Sequence, residues 1–251
     1  MRILALKLNK IFEPRVAFWF GILAPICILV FIGISIGLSP WFSWIDNALS
    51  DLGVSKVAFI FNTGLMLTGM LLSLFAISVA KAERYSRYGF TAAICFMFAG
   101  FGVVGVGIFT EASIGLHILF VIICFFSFLL SYLFFGVGLA LKRGVTRSKI
   151  LMVLILLGVL GIVFGFIGSY VSNPLGFVDL YKNPPPQYIT SEGTVDYLRI
   201  GKYIRELIET RYNIIIPGIA LMEILCALPM FPLYVLFGLR LYRKRDTDKL
   251  Q

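Results

Sequence analysis

The chain has 251 residues, of which 59% are hydrophobic and 14% are charged. Soluble domains contain about 45–50% apolar and about 25% charged residues, so this composition excludes an ordinary soluble fold and predicts an integral membrane protein. The net charge of +9 is attributed to loops that set orientation, because the sequence offers no exposed basic domain for nucleic-acid binding.

Six apolar runs are each long enough to cross a bilayer, whose core of ~30 Å requires roughly 20 helical residues. They cover about residues 16–38, 57–80, 89–109, 116–141, 150–172 and 212–239. Because they use most of the chain, the sequence predicts one all-α, six-helix membrane domain that spans residues 1–251.

Individual residues refine this bundle. Pro25 is expected to kink the first span, because proline removes a backbone donor. The third span carries four glycines and is expected to be a closely packed central helix; they are Gly100, Gly102, Gly105 and Gly107. Every cysteine lies inside a predicted span, where thiols act as small apolar fillers. The sequence therefore predicts no disulfide framework, no metal site and no cofactor.

Lysine and arginine set the predicted orientation. They concentrate in the N-terminal segment, in the second and fourth connections and in the C-terminal tail. The positive-inside rule then places both termini in the cytoplasm of a multi-pass plasma-membrane protein. The opposite, outer face holds the connections at residues 39–56, 110–115 and 173–211.

The outer loop 173–211 is the longest polar segment. Three prolines, Pro184 to Pro186, favour an extended conformation in its first half. From about Thr194, apolar residues recur on one helical face and Asp196 would lie in the first turn, which predicts an interfacial amphipathic helix. This helix is either a lid over the bundle or a plain connection.

Six polar residues should meet at the outer end of the bundle, and we call them the polar cluster: Asp46, Asn47, Ser50, Asp51, Glu111 and His117. A carboxylate, Asp51 or Glu111, could orient His117 as a general base, with Ser50 as a candidate nucleophile. In the alternative interpretation, Ser50 or Asn47 caps the second span and Asp51 satisfies loop donors. A single histidine excludes any multi-histidine site built from this chain alone.

Glu223 lies near the middle of the sixth span, where an acid is costly and suggests function. It would either hydrogen-bond Asn62, Thr63 or Thr68 as a structural link or face a ligand cavity. We therefore include Asn47, Asn62 and Glu223 as candidate ligand-binding residues.

Three motifs carry a family resemblance: N-A-L-S-D-L-G at 47–53, F-N-T-G at 61–64 with Gly69, and G-V-G-I-F-T-E at 105–111 with His117. In this order they resemble a prokaryotic, mainly archaeal family of six-span proteins of unknown function. More distantly they resemble the damage-regulated autophagy modulators and the Golgi protein of GPI-anchor lipid remodelling. The resemblance covers about residues 40–132. It implies a six-helix membrane fold and a lipid-related role centred on Asn47, Ser50, Asp51, Glu111 and His117.

Three hypotheses follow. The first is a protein that binds or modifies a lipid at the outer face, with His117, Asp51, Glu111 and Ser50 as catalytic candidates. The second is a non-catalytic subunit or scaffold that docks a membrane protein complex through the loop 173–211. The third is a small transporter that uses Glu223, although the spans contain no evident inverted repeat.

Overall fold

The computed structural model describes residues 14–84, 86–141 and 185–191 continuously. Beyond these it describes the single residues 193, 195, 196, 199, 200, 202, 203, 206, 210, 220 and 224. The predicted span at 150–172, almost all of the predicted span at 212–239, and the N-terminal segment 1–13 lie outside the described residues.

Four long helices follow one another in the described part of the chain. They are α1 (Pro14–Gly37), α2 (Ala58–Ala82), α3 (Arg87–Ile108) and α4 (Ile114–Ala140). Each contains an apolar stretch long enough to cross a membrane, because about 20 residues at ~1.5 Å per residue span the hydrocarbon core. The protein is therefore membrane-embedded, as the composition predicts, and its described spans are all helices. The helix α1 runs through Pro25.

Consecutive helices pack against each other, so α3 lies between α2 and α4. Glycines make this close packing possible. A Cβ atom on Gly69 of α2 would lie 2.5 Å from the carbonyl oxygen of Gly100 on α3. A Cβ atom on Gly102 would lie 2.6 Å from the backbone nitrogen of Cys124 on α4. The prediction of a central, glycine-rich helix is confirmed, since small residues let helix backbones approach closely.

The bundle has an aromatic core and an apolar outer surface. The ring of Phe96 makes edge contacts with Phe75 and Phe128, at centroid distances of 5.9 Å and 5.5 Å. Large apolar side chains also face outward, and Phe59 is 83% exposed. Such an outer surface is expected where the solvent is lipid, because hydrocarbon chains are as apolar as the side chains themselves.

Two short 3-10 helices build one end of the bundle. Leu49–Val54 precedes α2, Glu111–Ser113 links α3 to α4, and the two pack against each other. This packing brings both parts of the polar cluster to the same end. The N-cap of α2 is Val57, without a side-chain cap. The predicted capping of the second span by Ser50 or Asn47 is therefore wrong, because Ser50 lies within the 3-10 helix Leu49–Val54 and Asn47 precedes it.

The described part of the outer loop forms a tight turn. Pro186 begins a short 3-10 helix, Pro186–Tyr188, which shortens the predicted extended segment because the fixed φ of proline suits a first helical position. Ile189 and Val195 form an antiparallel bridge. Oδ1 of Asp196 then accepts a hydrogen bond of 3.0 Å from the backbone of Arg199. Helical residues thus follow Asp196, which precedes them as a cap and does not lie in the first turn.

Candidate functional site

Asn47 and Asp51 are completely buried in the loop between α1 and α2. Oδ2 of Asp51 accepts hydrogen bonds from Nδ2 of Asn47, at 3.2 Å, and from the backbone of Ala48, at 3.1 Å. Oδ1 of Asn47 accepts from the backbone of Ser43 at 3.0 Å. Buried polar groups require such partners, so these bonds hold the loop in shape. Asp51 does satisfy loop donors, as the structural interpretation of the sequence predicts.

The same loop is tied to the last predicted span. The backbone N–H of Ala220 donates to the carbonyl oxygen of Asn47 at 3.0 Å. Ala220 is fully buried in an apolar group with Leu49 and Leu52, and Ile224 packs against that group. A contact with a residue distant in sequence therefore stabilises the loop, in addition to the hydrogen bonds within the loop.

Asp46 and Asn62 make local contacts at this end of the bundle. Oδ2 of Asp46 accepts from the hydroxyl of Ser43 at 2.8 Å. Nδ2 of Asn62, on α2, donates to the carbonyl oxygen of Gly53 at 2.9 Å. That bond fastens the 3-10 helix Leu49–Val54 onto α2, which gives Asn62 a structural contact. Glu223, the proposed partner of Asn62, lies outside the described residues.

Glu111, Ser50 and His117 come together where the two 3-10 helices meet. The Ser50 hydroxyl hydrogen-bonds the Glu111 carboxyl group, and His117 is close enough to interact with it electrostatically. Oε2 of Glu111 is fully enclosed and has no hydrogen-bond partner within the described segments. Burial raises the pKa of Glu111 above its ordinary value, while the Ser50 hydrogen bond and the charge of His117 act in the opposite direction. The uncharged form of this carboxyl is therefore favoured relative to a carboxyl in water.

The ring orientation of His117 follows from one backbone contact. His117 is only 8% exposed, and its Nδ1 lies 2.7 Å from the carbonyl oxygen of Phe109. A carbonyl oxygen only accepts hydrogen bonds, so Nδ1 must carry the proton and donate it. In the neutral imidazole the lone pair is then on Nε2, which bonds to none of the described residues. The Phe109 ring stacks on Phe120 at 5.2 Å and supports this arrangement.

The structure thus brings Ser50, Glu111 and His117 together, as the sequence predicts. The hydrogen bonds described for Asp51 lie within its own loop. The Phe109 carbonyl was missed, because a backbone acceptor has no sequence signature. Two buried hydroxyl groups, those of Ser35 and Ser39, were also missed. Like the hydroxyl of Thr68, which the sequence analysis names as a possible partner of Glu223, they have no hydrogen-bond partner in the described part of the bundle. Among the described residues, no group of three or more histidine, cysteine, aspartate or glutamate side chains is arranged to hold a metal.

Comparison with models of protein families gives a match. The model of a family described as proteins of unknown function, DUF998, matches residues 22–181. The chain belongs to this family. The match includes all of α2, α3 and α4 and the whole polar cluster, so the expected membership of an uncharacterised membrane family is confirmed. No curated protein and no solved structure matches the chain.

Proposed function

We propose that this DUF998 protein binds a membrane lipid at the polar cluster, through Ser50, Glu111 and His117. The observation that carries the proposal is the enclosed Oε2 of Glu111, which has no hydrogen-bond partner in the described chain and belongs to a carboxyl group beside a buried imidazole. An enclosed acceptor without a partner costs about 1–3 kcal/mol. A ligand that donates a hydrogen bond to Oε2 would remove that cost. Lipid surrounds a bundle that spans a membrane, so a lipid is an available ligand at this end of the bundle.

The position of the cluster along the bundle supports a lipid ligand. His117 lies in the first turn of α4, and the other members of the cluster lie in the connections between spans. Trp41 and Trp44 lie in the same loop as Asp46 to Asp51. Tryptophan is enriched at membrane–water interfaces, at the depth of lipid headgroups. The connection between α2 and α3, at the other end, carries Lys81, Arg84 and Arg87. By the positive-inside rule we propose that this basic end is cytoplasmic, with both termini, and that the polar cluster faces outward across a plasma membrane.

We restrict the proposal to binding, because the contacts of Ser50 do not favour a nucleophile. The Ser50 hydroxyl is bonded to the Glu111 carboxyl group, and among the described residues no bond joins it to His117, the base that the sequence analysis pairs with it. His117 has its Nε2 lone pair available and could act as a base on a bound ligand. The proposed role of Asn47 and Asp51 is to hold the loop that carries Ser50.

Native mass spectrometry of protein extracted in a mild detergent tests this proposal. Wild type should retain lipid, and His117→Ala should lose it. Ser131→Ala is the matched control: its hydroxyl donates to the Ala92 carbonyl at 2.8 Å, toward the opposite end of α3. It should retain lipid as wild type does. Equal lipid retention in all three folded proteins would contradict the proposal.

A second candidate, the docking of a partner protein, is favoured by one observation on the outer loop. Ile189 and Tyr203 are 43% and 41% exposed although the turn that carries Ile189 is folded. Exposed apolar side chains on an ordered loop are typical of interaction surfaces. If this is the function, a stoichiometric partner should purify with wild type, and Ile189→Asp should release it without changing lipid retention.

A further inference from the structure

The charge of the polar cluster restricts what it can bind. Its members include three carboxyl groups and one imidazole, but no lysine or arginine: Asp46, Asp51, Glu111 and His117. Within the connections 39–57 and 109–113, the basic residue is Lys56, and its side chain is exposed. Sites for phosphate or carboxylate usually supply arginine, lysine or several backbone N–H donors. The described part of the cluster therefore offers no lysine or arginine to an anionic group.

Two open hydrogen-bonding atoms in the cluster, one on Glu111 and one on His117, are acceptors. Oε2 of Glu111 is enclosed without a partner in the described chain. Nε2 of His117 has its lone pair available, because Nδ1 is committed to the Phe109 carbonyl. An ammonium group is the complementary ligand, since it has three donors and no acceptor. A carboxylate that accepts from an ammonium also forms a charge-assisted hydrogen bond, which is stronger than a neutral one.

We infer that the ligand of the polar cluster presents a primary amine, as in the headgroup of an aminolipid, and donates to Oε2 of Glu111 and Nε2 of His117. This inference rests on the proposed function and specifies its ligand. The same chemistry is available in a free soluble amine. The experiment therefore compares an aminolipid, a lipid without an amine, and the amine alone.

The inference also predicts how the affinity for an amine changes with pH. Burial raises the pKa of Glu111, and a bound ammonium would stabilise the ionised carboxylate, so binding releases a proton. Amine affinity should then increase with pH as Glu111 ionises. His117, Asp46, Asp51 and the exposed Lys56 are the other titratable groups on the elements packed here. An anionic headgroup would show the opposite trend.

The test is a tryptophan-fluorescence titration of delipidated, detergent-solubilised full-length protein with short-chain phosphatidylethanolamine or phosphatidylglycerol. Measurements run from about pH 6 to about pH 8.5. Wild type should bind the ethanolamine lipid about tenfold or more tightly than the glycerol lipid, since a charged hydrogen bond contributes about that factor. Glu111→Gln should lose this preference and its increase with pH. The control Glu83→Gln, a half-buried acid in the connection between α2 and α3, should retain both.

Each outcome decides between the alternatives. Tighter binding of the glycerol lipid, or affinity that decreases with pH, would overturn the amine inference and leave lipid binding intact. Wild type that binds neither lipid would overturn the proposed function as well. Free ethanolamine that competes as strongly as the lipid would support amine recognition and point to a soluble ligand. Weak competition would point to the membrane.

Discussion

A close approach of two helix backbones, at Gly69, gives a sharp test of the packing of the described bundle. Replacing Gly69 with alanine would put a Cβ atom 2.5 Å from the Gly100 carbonyl oxygen and 2.7 Å from the backbone nitrogen of Val104. Both atoms belong to a helix backbone, which cannot rotate away as a side chain can. Forced overpacking costs about 1–3 kcal/mol, and backbone contacts should place this substitution at the upper end. For a chain of this size, about 3 kcal/mol corresponds to a decrease of roughly 6–12 °C in Tm.

The matched control is Gly33→Ala on α1. No atom from elsewhere in the described chain lies within 4 Å of the added methyl group, and alanine favours a helix over glycine by about 1 kcal/mol. Gly33→Ala should therefore leave Tm unchanged or raise it. The assay is thermal unfolding in detergent, followed by intrinsic fluorescence, for both variants and wild type. Equal Tm values for Gly69→Ala and wild type would refute the close contact of α2 and α3.

Three further substitutions test the end of the bundle and its core. Glu111→Gln should raise the free energy of unfolding at about pH 8 but not near pH 4.5. Burial raises the pKa of Glu111 in the folded protein. Such a carboxyl group stabilises the fold below its unfolded pKa, and this contribution is lost as pH rises through the folded pKa. Thermal unfolding against pH measures this, and parallel profiles for mutant and wild type would contradict it. Asn62→Ala should cost about 1 kcal/mol, because the bond to the Gly53 carbonyl is lost, and should speed proteolysis of residues 39–57 before that of the helices. Ser131→Ala should cost only about 0.6 kcal/mol, the average for a hydrogen bond between membrane helices, and a Tm decrease as large as that of Gly69→Ala would contradict this estimate.

The bounds of the four helices could be predicted closely because one quantity, the length of an apolar run, defines them. An apolar run of sufficient length must form a helix in lipid, where every backbone group has to be bonded internally. The predicted span 57–80 corresponds to Ala58–Ala82, and the predicted span 89–109 to Arg87–Ile108. The proximity of Ser50, Glu111 and His117 could also be predicted from the spans. Consecutive spans run in opposite directions, so alternate connections lie on the same side of the membrane.

The details of the site depend on local backbone geometry, which leaves no periodic hydrophobic pattern in the sequence. Asp51 and Glu111 fitted the sequence pattern equally well as partners of His117. Two 3-10 helices decide their surroundings, and such short segments with i to i+3 bonding leave little trace in the sequence. The tautomer of His117 depends on the Phe109 carbonyl, a group that every residue carries. The start of the helical residues after Asp196 depended on a β-bridge between Ile189 and Val195, a contact too short to show a strand pattern.

Two buried carboxyl groups lie at the same end of this bundle, and their neighbours distinguish them. Oδ2 of Asp51 accepts two hydrogen bonds from its own loop, so Asp51 holds that loop in shape. Glu111 instead joins two parts of the cluster, because its carboxyl group bonds Ser50 and lies close to His117 at the start of α4. Its Oε2 is enclosed and bonds none of the described residues, which costs about 1–3 kcal/mol. The proposed role of Glu111 in binding therefore predicts that Glu111→Gln stabilises the free protein at about pH 8 and weakens its preference for an amine ligand.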